Sequence, residues 1–284
     1  MQRLYFEQMI NASPHVVWSI LWEDATYRKW TAVYSEGSYA VGAFREGSRI
    51  HFLGPDGSGI YSDVVRMAPE EQMRFKHIGE IKNFQEQEIA TGESWYGAIE
   101  QYDLEEQESG TLLKMILDTT SSFAEFMKAT CPKALARVRT LAETGGTGQI
   151  QISTTLEGVS KEKAWNAYTQ PLSIEQWNFA TEDWHCPRAI ADLSEGGRFA
   201  YTMAAKDGSN SFDFTGSFTK VDPFDMLNYK LDDGRNVFIN FLDENERVHV
   251  SVLFDAEDEN PAELQREGWQ AILDNYARFV QRTA

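Results

Sequence analysis

Five histidines (His15, His51, His77, His185 and His249) and two cysteines (Cys131 and Cys186) are the residues of this 284-residue chain best suited to metal binding or nucleophilic chemistry. No histidine stands at zincin or zinc-finger spacing. His185-Cys186 lies beside Asp183, but adjacent ligands chelate poorly and no second His/Cys cluster follows, so no metal is expected. His249 is out of phase with Val248 and Val250, and His51 with Ile50 and Phe52, which assigns both to the wet face of a strand. The chain has no Gly-x-Ser-x-Gly elbow, P-loop or dinucleotide fingerprint, and Gly145-Gly-Thr-Gly148 lacks the strand-to-helix register of a phosphate cradle. Carboxylates are abundant, yet sequence alone brings no two of them to a defined separation. No cofactor is expected, and the sequence assigns neither a catalytic residue nor an enzyme activity.

Aromatic surface is a stronger signal. In the second half Trp177, Tyr201, Phe214, Tyr229, Phe254 and Trp269, with Ile272 and Tyr276, occupy inward positions and are candidates for the walls of a ligand cavity. Trp184, beside His185 in a loop after the second helix, is placed at its mouth. A plain hydrophobic core uses the same residue types, so wall and core remain alternatives at this point.

These side chains need strands and one long helix to position them. Phe199-Ala-Tyr201-Thr-Met203, Phe212-Asp-Phe214-Thr-Gly216-Ser-Phe218 and Val248-His-Val250-Ser-Val252-Leu-Phe254 alternate with period two, the mark of antiparallel strands with one face buried. In the first half Phe44, Ile50 and Phe52, then Ile60 and Val64, then Leu112, Lys114 and Ile116 sketch a less regular equivalent. Ser13, followed by Pro14, and Ser160 are predicted helix caps. Second short helices are predicted from about Asp24 to Trp30 and from Pro171 to Trp177. Asn260-Pro-Ala-Glu263 predicts a capped terminal helix carrying Leu264, Ile272, Tyr276 and Phe279. Its counterpart starts at Ser122-Phe-Ala-Glu125, and Pro132 should kink or divide it.

The halves repeat. Trp18 and Trp30 recur as Trp165 and Trp177, and Ser13 and Ser160 each precede the first tryptophan of their pair by the same interval. Glu46-Gly47 corresponds to Glu195-Gly196, and Gly59 through Pro69 to Phe75 corresponds to Gly216 through Pro223 to Tyr229. The sequence therefore predicts one domain at 1–143, a glycine-rich linker at 144–148 and a second domain at 149–284. With 26 Lys and Arg against 44 Asp and Glu, the formal net charge of −18 disfavours nucleic acid and anionic membranes. One cysteine per half and no 18-residue apolar run predict a reducing, cytoplasmic setting with no membrane association.

Taken together, Ser-x4-Trp, the later tryptophan, Glu195-Gly-Gly-Arg-Phe199, Val221-Asp-Pro223 and Gly268-Trp269 resemble the START-like, or SRPBCC, superfamily, in the branch similar to the activator of heat-shock-protein-90 ATPase. The second half carries nearly the full pattern; the first has Glu46-Gly-Ser in place of Glu-Gly-Gly and lacks Gly-Trp before its last helix. The resemblance implies an α+β fold of two helix-grip domains, each a curved antiparallel sheet wrapped around a long C-terminal helix. It also implies a cavity that binds a small hydrophobic molecule. Its alternatives are a chaperone-cofactor or protein-interaction module, with a protein partner, and a polyketide cyclase/dehydratase-like enzyme. The cleaner alternation of the second half predicts that the better-formed cavity lies there.

Overall fold

The computed structural model describes residues 1–88, 95–243 and 247–282. The chain divides into two compact units, Met1–Thr147 and Gly148–Ala284. The first unit contains β1 (Gln2–Ile10), α1 (Pro14–Trp22), α2 (Asp24–Thr31), β2 (Tyr39–Gly42), β3 (Arg49–Leu53), β4 (Gly59–Ala68), β5 (Gln72–Lys82), β6 (Gln85–Glu86), β7 (Ile99–Gln107), β8 (Gly110–Thr119) and α3 (Ala124–Glu143). Its antiparallel sheet runs β1-β8-β7-β5-β4-β3-β2, with β6 on β5.

The second unit contains β9 (Gln149–Glu157), α4 (Lys161–Thr169), α5 (Pro171–Ile174), β10 (Trp184–Ala191), β11 (Arg198–Ala205), β12 (Ser211–Asp222), β13 (Met226–Leu231), β14 (Asn236–Asp243), β15 (Arg247–Asp255) and α6 (Ala262–Arg282). Its sheet order, β10-β11-β12-β13-β14-β15-β9, is that of the first unit read from the other edge. Each unit is thus a curled antiparallel sheet gripping its terminal helix, the two-domain helix-grip fold.

Shared local chemistry builds both sheets. Ser13 accepts from Val16 N at 3.5 Å and Ser160 from Lys163 N at 3.2 Å, capping α1 and α4. Gly47 N donates to Val64 O and Gly196 N to Phe218 O, each at 2.8 Å, tying the turn before β3 or β11 to the following strand. Register shifts lie between Val64 and Arg66 in β4 and between Phe218 and Lys220 in β12, where a bulge adds bend and twist. Trp165 and Trp177 are buried and anchor the early helices: Trp165 packs 5.5 Å from the Phe241 ring, and the Trp177 indole donates to Ala167 O. In the first unit Trp30 is buried and donates to Leu21 O, whereas Trp18 is half-buried against Trp22.

Four local expectations change. The buried apolar residues of β8 are Leu113, Met115 and Leu117, so Leu112, Lys114 and Ile116 lie on the opposite face. A one-residue error of phase moves every side chain to the other face, and a strand with apolar residues on both faces gives no alternation to fix that phase. The helix α3 begins after Phe123 with no side-chain cap and continues through Pro132 undivided, with Cys131, Ala134 and Leu135 buried on either side of it. Glu257, rather than Glu263, accepts the Asn260 backbone N–H before α6, and Glu263 pairs with Arg266 instead. Finally, strand register matches Gly216 to Ser62 and not to Gly59: Ser62 pairs with His77 and Ile50, as Gly216 pairs with Leu231 and Phe199.

Candidate functional site

Between sheet and helix the second unit holds a cavity of about 210 Å³. Inward positions of β11, β12 and β13 supply Tyr201, Phe214 and Tyr229, while α6 supplies Trp269 and Ile272 and the segment after α5 supplies Trp177. Three other sequence candidates stand one layer back. Phe254 lies under Trp269 with ring centroids 4.1 Å apart, Tyr276 donates to Ala164 O at 2.8 Å, and Trp184 packs on the lining residue Phe212 at 5.9 Å. The helix α6 is held over the cavity by Arg266 and Gln270, which donate to Gln151 O and Ser153 O of β9, and by Asn275, which donates to Phe179 O. Burial pushes the Tyr168, Tyr201 and Tyr229 phenols upward, so they remain O–H groups at neutral pH. Arg235 is the one charged side chain among the described lining residues, and its guanidinium donates twice to Asp233, at 2.9 and 2.7 Å.

The first unit holds a larger cavity, about 410 Å³, in the corresponding place. The cleaner alternation of the second half predicts the better-formed cavity there, but the helix that Pro132 is expected to disturb closes the first one, through Phe126 and Met127. Its walls include Trp22, Tyr27, Trp30, Tyr34, Tyr102 and Glu100. Burial, then the neighbouring Glu100 charge, holds the Tyr27 and Tyr102 phenols well above their ordinary range. Cys131, behind Tyr34, is pushed up to about 11, chiefly by burial, and is therefore a thiol with little nucleophilic character at neutral pH. The Trp22 indole N–H is buried with no hydrogen-bond partner among the described residues.

Glu100 was not foreseen. It shares the inner face of β7 with Tyr102 and Leu104, two and four residues on, and that parity was its only signal in the sequence. The Tyr102 hydroxyl donates to one carboxylate oxygen at 2.5 Å, and His77 Nε2 lies 3.4 Å from the other. His77 Nδ1 is 2.7 Å from the Ser62 hydroxyl. With Nε2 carrying its proton toward Glu100, Nδ1 accepts from Ser62 and a polar chain runs from the buried β4 through β5 to the cavity wall on β7. Ser62 and His77 are 0% and 1% exposed, so only the Glu100 end meets the cavity.

Of the other histidines, His185 stands apart: its Nδ1 is buried with no hydrogen-bond partner among the described residues. His51 pairs with Glu86 at 2.8 Å and His249 lies 3.3 Å from the Thr155 hydroxyl. Among the described residues no group of three His, Cys, Asp or Glu is arranged to hold a metal ion, and Cys186 is buried.

Comparison with known proteins places this architecture. Residues 158–281 match the family model for activator of Hsp90 ATPase homolog 1-like proteins. An AHSA1-like protein from Aeromonas hydrophila, solved by NMR, is 42% identical over 47% of this chain and 94% of its own, with TM-score 0.45. A protein from Cytophaga hutchinsonii is 40% identical over 48% and 94%, with TM-score 0.43. The di-domain ARO/CYC BexL from the BE-7585A biosynthetic pathway spans 99% of this chain and 98% of its own at 12% identity and TM-score 0.39, a likeness too slight to speak to a reaction. No curated protein matches the chain. The chain belongs to the activator of Hsp90 ATPase homolog 1-like family, within the START-like superfamily, as two tandem copies of its fold.

Proposed function

We propose that the protein binds small, mainly hydrophobic molecules in its sheet-helix cavities. The observation that carries this reading is the recurrence of an aromatic-walled void at the same place in both units, about 410 Å³ in one and 210 Å³ in the other. Interiors close-pack, and voids larger than a water molecule are few in a domain. A pair at equivalent positions is therefore more than a packing fault. Aromatic walls bearing phenol O–H groups suit a molecule that is mostly hydrocarbon with one or two polar groups.

The test is titration of the full-length protein with an uncharged, environment-sensitive hydrophobic dye, read by fluorescence. Saturable binding is expected. Ile272→Trp should remove the component from the second unit and Met127→Trp that from the first, because each places a larger ring in its own cavity. Absence of saturable binding in the folded wild-type protein would overturn the proposal.

A further inference from the structure

The polar chain of the first unit occupies positions that are apolar in the second. Phe75 pairs with Glu100 and Glu100 with Leu117; at the matching site Tyr229 pairs with Val237 and Val237 with Phe254. A loop bond fixes the alignment independently: Leu104 N donates to Glu71 O as Phe241 N donates to Asp225 O, each one residue beyond the last pair of its ladder, Gln72 with Asp103 and Met226 with Asn240. By this register Ser62, His77, Glu100 and Tyr102 replace Gly216, Leu231, Val237 and Ile239. The fold closes without any polar group there, as the buried Leu231, Val237 and Ile239 demonstrate. Burying a carboxylate and an imidazole in such a layer opposes folding, and departures of this kind concentrate at functional sites.

The group this layer presents to the cavity is an acceptor. A carboxylate offers about four lone-pair directions, and Tyr102 and His77 approach it with one group at each oxygen, leaving capacity toward the void. Among the described lining residues the only other charged one is also acidic, Asp56, and none is Lys or Arg. The walls also include Trp22, Tyr27, Trp30, Tyr34 and Tyr102, aromatic rings of the type that attract a cation. In the second unit the same position is Val237, and the nearby charge is an arginine already held by Asp233.

We propose that the first-unit cavity is a binding site for an amphipathic amine, its ammonium group seated on Glu100 within the aromatic walls and its hydrocarbon part running toward Met115, Leu117 and Met127. This rests on the reading of the cavities as ligand sites and names the ligand class of one of them. His77 and Ser62 act as positioning residues that hold the carboxylate in place.

Octylamine, octanol and octanoate share one tail and differ in the head. Calorimetric titration of each into the full-length Ile272→Trp protein isolates the first unit. Octylamine should bind roughly tenfold or more tightly than octanol, as befits a charge-assisted hydrogen bond, and octanoate most weakly. Glu100→Gln keeps the size and an acceptor while removing the charge, and should bring amine and alcohol to equal affinity. Comparing the three heads on one protein needs no variant at Glu100, so a misfolded Glu100→Gln cannot hide the answer. Equal binding of amine and alcohol, or an amine preference that survives Glu100→Gln and so stems from the acidic surface, overturns the inference while leaving the cavity a hydrophobic site. Failure of all three, octanol included, defeats the ligand-binding reading itself.

Discussion

Replacing Glu100 alone with Val should cost the first unit more stability than replacing its whole polar chain. In Glu100→Val the Tyr102 hydroxyl loses its 2.5 Å acceptor and His77 loses the carboxylate 3.4 Å from Nε2, both within a buried layer. Each buried polar group left without a partner costs about 1–3 kcal/mol, so the two together cost about 2–6 kcal/mol. The set Ser62→Ala, His77→Leu, Glu100→Val and Tyr102→Phe removes every member of the chain and approaches the apolar layer that the second unit already packs around Leu231 and Val237. Replacing a buried ionic group completely by packed apolar residues is often neutral, or stabilising by about 1–4 kcal/mol. The fourfold variant should therefore lie within about 2 kcal/mol of wild type, or above it. Because the chain has two units, one melting temperature mixes two transitions. Amide hydrogen exchange resolved by peptide reads them apart, through β5, β7 and β8 against β13, β14 and β15. A fourfold variant as unstable as the single one would refute the reasoning, since the network would then be holding the fold together.

Two further outcomes follow from other parts of the molecule. Trp165→Ala removes a 3%-exposed ring packed on Phe241 and should cost the second unit about 3–5 kcal/mol; exchange rates in β13–β15 that stay unchanged would show that the ring anchors nothing. Asp118 is held below its ordinary value of 3.8 by the Arg3 guanidinium, with a further hydrogen bond from Ile99 N. Its folded-state pKa lies below the unfolded one, so the stabilisation is complete above that ordinary value and is lost as pH falls through the folded value. Acid unfolding of the first unit should therefore be shallower in Asp118→Asn, and an identical acid profile would show that the pair is without consequence.

The sequence made the repeat, the order of elements and most of the second-unit walls legible. Alternation along antiparallel strands with one wet face singles out Tyr201 and Phe214, whereas Trp165 and Trp177, on or just after the early helices, stand out through the repeat of the two halves. Phe254, Tyr276 and Trp184, which the sequence places at the cavity walls or mouth, back the walls instead of forming them. Depth behind a first layer depends on which helix covers which strand, and period-two patterning carries no such information. The phase of β8 was misread because Leu112, Leu113, Ile116 and Leu117 offer apolar residues to both faces. Glu100 was missed for another reason. Its significance lies in its cross-strand neighbours Phe75 and Leu117, and register between strands far apart in sequence is a property of the folded sheet.

The same register shows where the two halves diverge from each other in this layer. In the second unit a Cβ on Gly216 would stand 2.5 Å from Lys230 O and 2.8 Å from the Phe199 ring, so the neighbouring backbone first, and the ring with it, demand a glycine there. In the first unit the residue facing that position is Ile50, which leaves room for Ser62 and its hydroxyl. Once Ser62 is present, an imidazole at His77 has a hydrogen-bond partner at Nδ1, and Nε2 is left to face Glu100. A smaller facing residue and a register shift between Tyr61 and Ser62 thus accompany, in the first unit, a polar chain that ends in the cavity. In this layer, the places where the first half departs from the second are the places where its cavity acquires a charge. The matching stretch of the second half keeps glycine, leucine and valine and with them an apolar wall. Two copies of one fold so differ in the head group they can hold, and the octylamine and octanol comparison probes that difference at Glu100.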